Sequence, residues 1–163
     1  MKIINRRQIR IKVLQELYSF LSGNENSLVE GQKNLINSFI QTNSLYLSYL
    51  NFFKSFWEFL NQRDNFQKKI KKSLKPIDEN YFLISKLIPL KSIAKNKNLI
   101  TKLSSGKYIF WDSKHEFLNE FFLKIVNSEG FKEYLIVKEK DNKIQLKLFI
   151  YIFKEILVHD KKF

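Results

Sequence analysis

Apolar residues recur at helical spacing close to the start of the chain, at Ile9, Val13, Leu17, Phe20 and Leu21. Asn5 stands just ahead of them as a good N-cap, and Gln8 three residues later completes a capping-box pattern. Ile4 is placed to staple onto Ile9. Gly23 after Ser22 reads as the stop, and Asn24 to Ser27 as a loop. A second helical stretch is predicted from about Leu28 to about Arg63, with Thr42-Asn43-Ser44 as a candidate break. Its later part carries Tyr46, Tyr49, Leu50, Phe53, Phe56, Trp57 and Leu60, an i, i+3, i+4, i+7 ladder that marks a core face.

The rest of the chain follows the same pattern in shorter pieces. Phe66 to Lys75 holds five Lys and is stopped by Pro76, and Ile77 to Asn80 reads as a connector. From Tyr81 to Trp111 there are six Lys and no acid, with Pro89 and Gly106 separating short helices. Asp112 is placed to cap a helix reaching about Asn127, Gly130 to interrupt, and Lys143 to Val158 to form a last amphipathic helix. No repeat and no clear linker appears. The expectation is an all-α multi-helix bundle forming one helical domain over residues 1–163.

Composition supports this and removes several chemistries. Four Gly and two Pro leave little room for the tight turns of an all-β fold. The absence of Cys excludes disulfides, thiolate nucleophiles and Cys-based zinc sites, and suits a reducing compartment. No signal peptide is visible at Met1 to Arg7. The most apolar segment, Leu45 to Leu60, is broken by Asn51, Lys54 and Glu58 and falls short of the roughly 20 apolar residues of a membrane span. A soluble, cytoplasmic protein without membrane attachment is expected.

Candidate chemistry is sparse. His115 and His159 are the only histidines, and His115-Glu116 lacks the second His of a zincin helix. Four scattered glycines build neither a P-loop nor a dinucleotide fingerprint. Glu116 and Glu120, at i and i+4, are most simply a solvated face. The expectation is a protein that is not an enzyme, with no catalytic residue, metal or cofactor.

Charge is more informative once discounted. The formal net charge of +13 points to a polyanionic partner. Yet Lys, Asn, Ile and Phe, the residues of A/T-rich codons, make up 75 of the 163 positions. Genome composition can therefore supply much of the lysine, including Lys68-Lys69, Lys71-Lys72 and the run from Lys86 to Lys107, for which a solvated surface is the simpler account. Arginine escapes this discount: there are four, and Arg6, Arg7 and Arg10 fall within five positions.

These cations start a helix, where the macrodipole disfavours them by roughly 0.3–1 kcal/mol each, and no acid precedes Glu16. A phosphate reverses the sign, because free amides, dipole and guanidinium forks all favour an anion there. At about 100° per residue Arg6 and Arg10 share a sector with Leu17 and Leu21, an edge leading out of the bundle interior. A buried Arg10 paired with a carboxylate from another helix is the competing reading.

The run Arg6 to Phe20, RRQIRIKVLQELYSF, resembles the opening helix of the NusB family of transcription antitermination factors. Arg6, Arg7, Arg10, Gln15, Leu17 and Tyr18 match that pattern in order, and Val126 to Tyr134 is more weakly similar to a stretch of longer family members. The resemblance implies a fold like an extended NusB N-terminal subdomain, with an RNA-binding bundle over residues 1–75 and further helices packed on it over 76–163. It also implies binding of boxA-type leader RNA together with the small-subunit ribosomal protein NusE, within the RNA polymerase antitermination complex that serves ribosomal RNA synthesis. RNA-binding residues carried over on the motif are Arg6, Arg7 and Arg10. Lys2 and Lys12 join them on electrostatics, and Gln15 and Tyr18 serve binding or packing.

The Asn-Glu-Ala helix and the Phe-x-Asn-Gly-Val-Leu-Asp segment of the family's C-terminal subdomain have no counterpart here, so that subdomain is expected to be missing. Two alternatives follow. One is an assembly module for the ribosomal protein that has lost RNA binding. The other is the NusB-like front of a ribosomal RNA cytosine methyltransferase, which needs a downstream α/β domain. Membrane-surface binding through the lysine runs has no amphipathic signature beyond ordinary helices.

Overall fold

The computed structural model describes residues 5–23, 27–70, 79–104 and 114–160, with backbone alone for 64–70, Glu79 and Tyr81. Among the described residues every regular element is helical and none is a strand. The elements are α1 (Arg6–Ser22), α2 (Leu28–Ile70), α3 (Glu79–Ser85), α4 (Ile88–Ala94), α5 (Lys97–Ser104), α6 (His115–Asn127), α7 (Glu129–Ile136) and α8 (Asn142–Tyr151). A π-helical segment, Ile152–Leu157, continues α8. No helix among the described residues is long and apolar enough to cross a membrane. The chain divides into two compact units, 1–49 and 50–163, the division falling inside α2.

The first unit holds α1 and the start of α2. The capping box forms as the sequence predicts: Gln8 N donates to Asn5 Oδ1 at 2.8 Å, and Asn5 N donates to Gln8 Oε1 at 2.9 Å. Gly23 ends α1 in extended backbone with φ −95°, not in the left-handed conformation that requires glycine, and its N–H donates to Ser19 O. Phe20 Cδ2 lies 3.5 Å from where a Cβ on Gly31 would sit, and Lys12 Nζ lies 5.9 Å from the Phe39 ring centroid. Residues later in α1 thus meet residues earlier in α2, so the two run antiparallel as a helical hairpin.

Thr42-Asn43-Ser44 does not break α2. Ser38 Oγ donates to Leu35 O and Thr42 Oγ1 to Ser38 O, each at 2.8 Å, so the hydroxyls bond back into the helix instead of drawing the backbone out of it.

In the second unit the ladder of α2 is buried, and its burial is wider than the periodicity predicts. Phe53, Phe56 and Leu60 are joined by Phe52 and Phe59, while Leu50 and Trp57 stay half-buried. α6 supplies the opposing wall. The Phe121 ring meets Phe52 edge-on at 4.9 Å and Phe56 at 5.1 Å, in the orientation favoured by the ring quadrupole. α8 closes another side, with Phe149 4.8 Å from Phe53. Trp57 Nε1 donates to Ser85 O, tying α2 to α3, and Ile88 N donates to Gln145 Oε1, tying the start of α4 to α8, each at 3.0 Å.

Three helix boundaries shift from their predicted places. The break between α3 and α4 falls at Lys86 and Leu87, and Pro89 sits inside the first turn of α4, where its missing N–H is harmless. The break after α6 falls at Ser128, whose hydroxyl caps α7 through Phe131 N, while Gly130 lies within α7. The N-cap position of α6 belongs to Lys114, which makes no side-chain cap. The predicted roles of Ile4, Pro76, Gly106 and Asp112 lie outside the described residues, as does most of the 77–80 connector, and Asn80 itself is helical.

Candidate nucleic-acid interface

Arg6 and Arg7 occupy the first two positions of α1, and no acid shares that turn. The capping box uses the Asn5 and Gln8 amides, and Ile9 N donates to Asn5 O at 3.1 Å. That leaves the Arg6 and Arg7 amides with no partner among the described residues. Two N–H groups without a partner among the described residues, the positive end of a helix and two exposed guanidinium groups therefore converge on one turn. The arrangement can hold a phosphate by charge-assisted hydrogen bonds.

Arg10 is exposed as well, which overturns the buried, carboxylate-paired reading. Its sector is not bundle-facing: Leu17 is 52% exposed and Leu21 80%, and no residue of α1 is buried. The side of α1 turned to α2 is instead the one with Lys12, Val13, Glu16 and Phe20, all half-buried. At about 100° per residue, Arg7, Arg10, Leu14, Tyr18 and Leu21 spread over about 80° of the outward face. Tyr18 is 73% exposed and Leu14 70%, so cations, an aromatic ring and apolar bulk share one surface. Of the stripe that periodicity marks as core, only Leu21 lies on this face.

The remaining candidates separate. Lys12 is half-buried against Phe39, Gln15 is exposed, and Lys2 lies outside the described residues. Lys86, Lys91, Lys95, Lys97 and Lys102 are all exposed, whereas Lys71, Lys72, Lys75 and Lys107, and the side chains of Lys68 and Lys69, lie outside the description.

His115 is exposed beside the Phe59 ring at 6.1 Å, and His159 is exposed. Glu116 is exposed, but Glu120 is half-buried and so departs from a simple solvated face. Among the described residues no group of three or more His, Asp or Glu could hold a metal ion. A cleft of about 140 Å³ between α7 and α8 is bordered by Glu133, Tyr134 and Lys147. Burial raises the Tyr134 hydroxyl above the ordinary tyrosine value. No protein-family model, curated protein or solved structure matches the chain.

Proposed function

We propose that the chain is an RNA-binding transcription antitermination factor of the NusB kind, acting in the cytoplasm on boxA-type leader RNA. The observation that carries this reading is the exposed, acid-free first turn of α1, where the Arg6 and Arg7 guanidinium groups stand at the positive end of the helix. Arg6 and Arg7 clamp phosphate, with Arg10, Lys2 and Lys12 extending the field. Tyr18 and Gln15 lie further along α1, as an exposed ring and an exposed amide able to meet unstacked bases. Replacing Arg6 and Arg7 by Ala is expected to weaken leader-RNA binding and lower its salt slope by up to about two units, the helical content being unchanged. Equal affinity of variant and parent across a salt series sinks the reading.

A second reading is favoured by Leu14, Leu17 and Leu21, which are exposed in the same unit. In it the hairpin is an assembly surface for the small-subunit ribosomal protein NusE, with or without RNA. Recovery of that protein in a nuclease-treated pull-down, together with no shift of leader RNA, selects this reading over the first.

A further inference from the structure

We propose that the second unit carries its own single-stranded RNA site, in which Lys86, Lys91 and Lys95 hold the phosphate backbone beside Trp57. Between Asn80 and Ser104 there are five Lys and no Asp or Glu. Two lysines elsewhere in this unit pair with carboxylates, Lys54 with Glu58 at 3.0 Å and Lys124 with Asp160 at 2.7 Å. Lys86, Lys91 and Lys95 are exposed, and among the described residues none has an ion-pair partner.

The structure places two of these cations, Lys86 and Lys95, beside aromatic rings. Trp57 Nε1 donates to Ser85 O at 3.0 Å, which fixes the indole at the end of α3 next to Lys86. Lys86 Nζ lies 3.6 Å from the Phe82 ring centroid, and Lys95 Nζ lies 5.8 Å from that of Trp57. Lys91 and Lys95 are one turn apart at the end of α4, where like charges repel. An incoming phosphate relieves that repulsion. It also draws the flexible Lys95 ammonium off the half-exposed indole, leaving a π-face on which a base can stack. A surface that offers cations to the backbone and rings to bases suits single strands of any sequence.

That the polyanion is RNA rests on the function proposed above, whereas the arrangement of cations and rings does not. The test uses the full chain with Trp111→Phe, which leaves Trp57 as the single tryptophan. Titration with a short oligouridylate is expected to quench Trp57 fluorescence. Joint replacement of Lys86, Lys91 and Lys95 by Gln is expected to weaken binding at least tenfold and reduce the salt slope by about two units, from three lost single-strand phosphate contacts. The Arg6→Ala, Arg7→Ala variant keeps the same quenching at saturation. Should the arginine variant bind with parental affinity, the α1 reading fails and this one stands. Parental affinity and slope in the lysine variant overturn this site alone, whereas binding to phosphatidylglycerol vesicles without binding to RNA overturns it together with the α1 reading. If the lysine variant loses its helical circular dichroism, ultraviolet cross-linking of the parent decides. Cross-links at Trp57 or within 82–95 support the site, and cross-links confined to α1 overturn it.

Discussion

Gly130 of α7 faces the ring of Tyr151 at the end of α8 so closely that a Cβ added to it would lie 2.6 Å from Cδ1, 2.7 Å from Cε1 and 2.9 Å from Cγ. The glycine is inside a helix, where it forgoes roughly 0.5–1 kcal/mol relative to alanine, and its role is close approach between two helices. Gly130→Ala is therefore expected to destabilise the protein by about 1–3 kcal/mol through overpacking. In a Tyr151→Ala background the same change should become stabilising by roughly 0.5–1 kcal/mol, as helix propensity alone predicts. Chemical denaturation of the four proteins of this cycle measures the sign change, and its absence refutes the contact.

Lys124 of α6 reaches Asp160, whose side chain is 2% exposed. Lys124→Met removes one charged donor from that buried carboxylate. Because Lys124 is 45% exposed, the expected loss is about 1–2 kcal/mol, below that of a fully buried pair. It should appear as a lower urea midpoint with unchanged slope.

Tyr134 titrates above its ordinary value of 10.0 because burial disfavours the phenolate. The folded state then holds its proton more tightly than the unfolded chain. Its contribution to stability is complete below about pH 10 and declines as pH rises through the folded-state value. Melting temperatures taken across that range should fall more steeply for the parent than for Tyr134→Phe, and parallel curves refute the assignment.

Replacing Arg6 and Arg7 by Glu should separate binding from stability. Acids in the first turn suit the macrodipole, so α1 is expected to gain roughly 0.3–1 kcal/mol per site while RNA affinity falls. Amide exchange in α1 and filter binding read the two effects. A loss in both would make the arginines structural.

Local chemistry made α1 legible. Its cap, its length and its basic first turn depend on residues a few positions apart, and the sequence placed them within a residue. The all-helical fold and the aromatic ladder were legible for a related reason, since a 3.6-residue period survives whatever it packs against. What needed the tertiary structure was direction. The stripe of Ile9, Val13, Leu17, Phe20 and Leu21 has core spacing, yet only Val13 and Phe20 are half-buried, while Leu17 and Leu21 stay largely exposed and Arg10 turns outward. Phe52 and Phe59, which stand outside the ladder, joined the core because α6 packs against them. Gly130 looked like a helix breaker, but a ring twenty-one positions away determines what can stand there. Periodicity tells which residues share a side of a helix; only the partner helices decide whether that side meets a core, a solvent face or a ligand.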